Sequence, residues 1–130
     1  MNTHFEFSRL MGINWAITDL NQSKLTSPLK FTNCVLNYST FMGLNLKKLE
    51  IVECVARDVD FSEANLCEAD FKGTDFTGSR FWHTDLTGAD LSKAKNYTIP
   101  AHLNTLKKTK FSFPEAMSLL YNLDIDLLDE

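Results

Sequence analysis

The sequence is short of nearly everything that punctuates or staples an ordinary fold. Its 130 residues include only three prolines and five glycines, so few positions are free to reverse the chain. Three cysteines are too few, and odd in number, for a disulfide framework, and reduced thiols in a cytoplasmic protein are expected. No apolar run approaches the ~18 residues of a membrane helix, and Met1-Asn2-Thr3-His4 has neither the basic nor the apolar part of a secretion signal. Gly-rich phosphate loops, paired catalytic carboxylates and nucleophile motifs are missing, and His4, His83 and His102 have no metal-ligand spacing. Neither an enzyme, a cofactor nor a bound metal is therefore expected.

Phenylalanine is in excess, with 10 copies. The net charge of −4 is modest but unevenly spread. Residues 1–49 and 94–112 are net basic, whereas 50–93 and 113–130 are net acidic. A net acidic middle disfavours direct contact with nucleic acid.

The main signal is a period of five. Residues 59–93 divide without remainder into VDFSE, ANLCE, ADFKG, TDFTG, SRFWH, TDLTG and ADLSK. A large apolar residue recurs at Phe61, Leu66, Phe71, Phe76, Phe81, Leu86 and Leu91, each preceded two places earlier by Val, Ala, Thr or Ser. This period fits neither a helix nor a strand. A coil of four five-residue sides accommodates it, each side turning one large and one small side chain inward.

The phase extends upstream through Ala56, Ile51, Leu46, Phe41, Leu36 and Phe31. It then slips by one, to Leu25, Leu20, Trp15, Leu10 and Phe5, with the slip at Thr26-Ser27-Pro28. The stretch from Thr18 to Pro28 reads either as regular coil or as a loop bulging from it. Residues twenty apart should stack. Phe41, Phe61 and Phe81 form one column, Leu46, Leu66 and Leu86 a second, and Phe31, Ile51, Phe71 and Leu91 a third. In the fourth, Ala56 lies between Leu36 and Phe76, as volume compensation requires. Cys34 and Cys54 share a column as small core-filling residues.

ANLCE, ADFKG and ADLSK resemble the A(D/N)(L/F)xx signature of pentapeptide-repeat proteins. The resemblance implies an all-β solenoid, a right-handed quadrilateral β-helix, over residues 1–95. After Lys95 the period stops, and 96–130 is expected as a C-terminal cap. Ser112-Phe113-Pro114-Glu115 has a capping-box pattern opening a helix of about 113–122. Ala116, Met117, Leu120 and Tyr121 would form its apolar stripe, and Leu123, Ile125 and Leu127 a short terminal strand.

This ending resembles that of the Qnr-like subgroup, which leaves the coil through an Asn-Tyr pair and continues into a short helix and a Leu-x-Ile segment. Leu36-Asn37-Tyr38-Ser39-Thr40-Phe41 also resembles a stretch in those proteins. The resemblance implies a homodimer through the C-terminal segment and a protein partner, DNA gyrase or topoisomerase IV, whose DNA-binding saddle an acidic rod would mimic. A loop at Thr18–Pro28 would correspond in position, though not in motif, to the projecting loops of Qnr proteins. The chain is much shorter than those relatives, as an N-terminally shortened member would be.

Three sets of outward residues bear on such a role. Glu50, Asp70 and Asp90 would form a column of carboxylates one coil apart, either an acidic face or a set of caps on corner backbone. Trp82 should point outward, as an interface anchor or beneath the chain's own tail. Met117, Leu120, Tyr121, Leu123 and Ile125 are the candidate dimer contacts. The alternative is a structural scaffold with no tie to gyrase.

Overall fold

The computed structural model describes residues 3–17, 29–121, 123–126 and 128. Named strands are few and short: β1 (Thr3–Glu6), β2 (Leu29–Thr32), β3 (Glu50–Val52), β4 (Asp90–Leu91) and β5 (Lys110–Phe111). All pair in parallel, in the orders β1-β2-β3 and β4-β5. Between them the ladder is carried by single parallel bridges every five residues. Val35 meets Val55, Thr40 meets Asp60, Asn45 meets Asn65 and Glu50 meets Asp70, each twenty residues on. Twenty residues in four sides make one coil, and each coil lies on the next.

Backbone groups are satisfied between coils. The Phe61 N–H donates to Arg80 O at 2.9 Å, and the Asp60 N–H donates in the other direction, to Ser39 O at 3.1 Å. Corners close as β-turns: the Ala69 N–H donates to Leu66 O at 3.1 Å, with Glu68 in the left-handed region at φ 59°. That is a type II turn, and its third position is costly for any side chain but glycine. Acidic, basic and aromatic residues nevertheless hold it at Tyr38, Lys48, Glu63 and Glu68, and Glu53, Asp58 and His83 take the same left-handed φ at other corners. Ladder bonds on both sides of the corner over-determine the conformation.

Some corners are opened by a side chain from the next coil. The Cys54 N–H donates to Thr74 Oγ1 at 3.2 Å, and that hydroxyl donates to Ile51 O at 2.6 Å. Ser79 bridges Val59 N and Ala56 O in the same way. The amide of Asn104 bridges Thr84 N and Phe81 O, and the thiol of Cys54 bridges Cys34 N and Phe31 O. A buried polar residue at the small inward position thus meets its own hydrogen-bonding needs by completing its neighbour's turn.

Inside, Phe31, Phe41, Leu46, Ile51, Phe61, Leu66, Phe71, Phe76, Phe81, Leu86 and Leu91 are all buried. Phe41, Phe61 and Phe81 stack with centroids 5.5 and 5.1 Å apart and planes within 12°. Trp15 continues that stack above Phe41 at 5.7 Å. Neighbouring columns meet edge-on, as Phe71 and Phe76 do at 85°. Both geometries are favourable for aromatic pairs.

The first coil keeps the stack but changes the count. Thr3 pairs with Leu29, Arg9 bridges Val35 and Asn14 bridges Thr40, an offset of 26 where later coils use 20. Six additional residues therefore lie between Asn14 and Leu29, which accounts for the phase slip. The stretch Thr18–Pro28, read as coil or loop, lies outside the described residues.

At the other end the coil passes the expected boundary at Lys95. Asp85 bridges Thr105, Asp90 pairs with Lys110, and Leu91 with Phe111. Leu106 and Phe111 continue two inward columns, packed against the core, although Asn96-Tyr97-Thr98-Ile99-Pro100 breaks the signature. Tyr97 and Ile99 are buried in its place, and a 3₁₀ turn at Ala101–Leu103 makes the third side.

The helix expected at about 113–122 is instead a 3₁₀ segment, Glu115–Leu120, entered through a cis Phe113–Pro114 bond. Its capping box does not form. Ser112 Oγ accepts from Lys93 N at 3.1 Å and Glu115 Oε2 from Asn96 N at 3.3 Å, so both side chains serve the coil beneath. Leu123 to Ile125, expected as strand, pair with nothing among the described residues, and Leu127 and Asn122 lie outside them. No helix among the described residues is long and apolar enough to cross a membrane.

Candidate functional site

Outward positions fall into columns as regular as the core, so each face can be read residue by residue. On the first face, Glu50, Asp70 and Asp90 bridge one another in a single column, ~4.8 Å per step at the spacing of paired strands. The same column begins at His4, passes through Lys30, opposite Glu50, and ends at Lys110, opposite Asp90. The carboxylates are therefore closed off by a lysine at each end. Lys30 Nζ lies 3.5 Å from Glu50 Oε2, and Lys72 Nζ 3.5 Å from Asp70 Oδ2. Exposed pairs of this kind contribute at most about 1 kcal/mol each.

The aspartates also cap backbone. Asp70 Oδ1 accepts from Lys72 N at 3.2 Å, and Asp90 Oδ1 from Ser92 N at 2.9 Å. Asp60, Asp75 and Asp85 do the same on other faces. For Asp90, partial burial would raise the carboxyl pKa, but the Ser92 hydrogen bonds and the charges of Lys72 and Lys110 outweigh it, and the value falls below the usual range. Asp75 is lowered likewise, burial being overcome by Thr77, Asn96 and Arg57. Asp85 is lowered chiefly by the Thr87 hydroxyl. Turn capping and an acidic surface thus coexist in the same side chains.

Charge is layered along the rod. The coil of residues 51–70 carries six carboxylates and one arginine, and Glu53, Asp58, Glu63 and Glu68 occupy its four corners. The coil of residues 91–110 carries five lysines and no carboxylate.

On the third face stands Trp82, 46% exposed, with the Arg80 guanidinium 5.9 Å from its ring centre. Met42 projects two coils away on the same column, with Ser62 between them. Ser62 is buried, and its hydroxyl has no hydrogen-bond partner among the described residues. Beside Met42 an open cleft of about 500 Å³ is lined by Asn14, Ala16, Thr40, Met42, Gly43 and Glu63.

The closing segment leaves apolar side chains in solvent. Phe113, Met117, Tyr121, Leu123, Ile125 and Leu128 are exposed, whereas Leu120 is half-buried. Trp82 thus lies apart from Met117, Leu120, Tyr121, Leu123 and Ile125, on a face and not at the end. Sequence reasoning missed the two lysines closing the acidic column and the pairing of Met42 with Trp82. Both were available as spacings of twenty and forty, had the period been carried past Lys95 and read on outward positions.

A family model described as pentapeptide repeats matches residues 57–92, in eight copies. The match falls where the inward columns and corner turns are most regular. Residues 57–92 are pentapeptide repeats. Such repeats build right-handed quadrilateral β-helices, and a solved structure supports that fold. The pentapeptide-repeat protein Rfr23 from the cyanobacterium Cyanothece 51142 aligns over 84% of each chain, at 18% identity and a TM-score of 0.70. QnrB1, a plasmid-mediated fluoroquinolone resistance protein, in a trypsin-treated form, aligns over 96% of this chain and 91% of its own, at 16% identity and a TM-score of 0.35. A pentapeptide-repeat protein of the Arabidopsis thaliana thylakoid lumen aligns over 95% of this chain and 70% of its own, at 20% identity and a TM-score of 0.36. No curated protein matches this chain.

Proposed function

We propose that this protein is a non-enzymatic, protein-binding rod that works as a homodimer through its closing segment. The observation that carries the reading is the run of uncovered apolar side chains from Phe113 to Leu128, set directly beyond a basic coil. Solvent-exposed apolar side chains grouped in one segment mark an interaction site. Sedimentation equilibrium of the wild type against Leu120→Asp tests it. A dimer that becomes a monomer supports the interface, and two monomers refute it.

The finer reading makes the protein a Qnr-like member whose acidic column, Glu50, Asp70 and Asp90, is presented to the DNA-binding surface of a type II topoisomerase, gyrase or topoisomerase IV, in a reducing cytoplasm. The free thiols of Cys34, Cys54 and Cys67 fit that compartment. In supercoiling assays with a fluoroquinolone, added protein should inhibit gyrase or protect it. Neither effect, at tens of micromolar protein, removes the topoisomerase partner.

A scaffold role unrelated to gyrase is favoured by the lysines at both ends of the acidic column. A DNA mimic is served by an uninterrupted file of negative charge, and Lys30 and Lys110 shorten this one.

A further inference from the structure

The third face carries an exposed tryptophan and methionine, yet its other outward positions are small or polar. Its columns run Asn14, Thr40, Asp60, Arg80 and Ala16, Met42, Ser62, Trp82, with Gly43 and Glu63 at the corner. Read from either end, the order of sizes is complementary. Placing the face against a second copy with the rods antiparallel, about a two-fold axis lying across the face between the Thr40 and Asp60 coils, brings each column against itself in reverse. Trp82 then faces Ala16, Met42 faces Ser62, Glu63 faces Gly43, Arg80 faces Asn14 and Asp60 faces Thr40. In each of these five pairs a large residue meets a smaller one, and no charge meets its like.

We propose that this face is a second, self-complementary interface between copies of this chain, with Trp82 of each copy seated at the Asn14–Ala16–Thr40–Met42 cleft of the other. Two observations converge on a second copy as occupant. Knob and recess occur on the same face at a spacing that one two-fold axis exchanges, as an isologous contact requires. Tryptophan, arginine and methionine are the residues enriched at interface centres.

The polar pairs fit as well. The Arg80 guanidinium, stacked on Trp82, enters beside the Asn14 amide oxygen, and the Thr40 hydroxyl is free to donate to Asp60 while still accepting from Met42 N. Four coils span only about 19 Å at the strand-pairing distance. The contact is therefore smaller than the ~800 Å² per partner of a standard interface, and a dissociation constant on the order of 100 µM is expected.

The interface is separate from the closing segment, so its test uses the Leu120→Asp chain, in which tail-mediated dimers are removed. Sedimentation equilibrium from about 10 µM to 1 mM should show the mass rising from 14.8 kDa toward twice that value. Trp82 emission should shift to the blue over the same range while buried Trp15 stays constant. Trp82→Ala leaves two recesses facing each other, Ala16→Trp leaves two knobs, and each should weaken association at least tenfold. The double variant Ala16→Trp/Trp82→Ala exchanges knob and recess and should restore it. Circular dichroism confirms that each variant is folded. A mass that stays at one chain to 1 mM overturns the proposal. So does association unaffected by both single variants, or failure of the folded double variant to recover. If Leu120→Asp itself changes nothing, the tail interface fails while the reading of Trp82 still stands or falls on these variants.

Discussion

The coils of residues 51–95 and the closing segment of residues 96–121 use the same parallel ladder, but they hold their inward residues differently. In the body, Phe61, Phe71, Phe76 and Phe81 have a coil on each side and are sealed from solvent. In the closing segment, Leu106, Phe111 and Leu119 are covered from one side and remain partly open. Burial in a stacked coil is supplied by neighbours, so a residue's contribution depends on which coil it occupies more than on its type. The corners differ too. Body corners are either closed turns or turns opened by a side chain of the next coil, whereas the closing segment adds 3₁₀ turns and borrows Ser112 and Glu115 to cap the coil beneath.

The sharpest way to break this comparison is to remove the same group from each region. Phe61→Ala should cost about 3–5 kcal/mol, since it empties a site walled by Phe41, Phe71, Phe76 and Phe81. Phe111→Ala, half-open and touching Tyr97 from one side, should cost less than half as much. Urea unfolding of both variants decides the matter, and equal losses would show that the ends are packed like the middle.

A smaller effect is expected where a side chain completes a neighbouring turn. Thr74→Val keeps the shape but removes the hydroxyl between Cys54 N and Ile51 O, leaving both groups buried and unbridged. The cost should be about 1–3 kcal/mol, with Thr74→Ser close to wild type. Thr109→Val in the closing segment should cost less, because the Ala89 N–H already bonds Leu86 O directly. Unfolding curves showing no difference between Thr74→Val and Thr74→Ser would contradict the bridging role.

Proton linkage gives the smallest change, and it too is weighted to the body. Asp75, Asp85 and Asp90 hold pKa values below 3.8 when folded, so the unfolded chain takes up protons first as pH falls. The stability they contribute is complete above the unfolded value and is lost as pH drops through the folded ones. In the alkaline direction the sign reverses. Burial, with Cys34 adjacent, raises the Cys54 thiol from 9.0 to about 12, so the unfolded chain ionises first and stability declines from about pH 9 upward. Melting temperature followed from pH 2.5 to 10.5 should fall at both ends of that range. A flat profile below pH 3.8 would remove the carboxylate contribution.

Legibility followed the same division. The inward residues could be read because the packing demand recurs every five positions, and a local pattern of large and small residues is enough to express it. Volume compensation around Ala56 was readable for the same reason. The end of the coil was not, because Asn96 to Asn104 abandon the signature while Leu106 and Phe111 still meet it one coil on. The capping-box residues misled for a related cause: Ser112 and Glu115 suit a helix N-terminus, but the unbonded Lys93 and Asn96 N–H groups compete for the same oxygens.

What was written in the chain itself, then, is the period, the identity of the inward residues and the polar choice at each outward position, all of which show as a pattern that recurs every five residues. The 26-residue first coil, and with it the seating of Phe5 on Phe31 and of Trp15 above Phe41, emerged only in three dimensions. Such neighbours are set by how many residues each coil contains, and that number is decided by which register lets the whole spine close without a void.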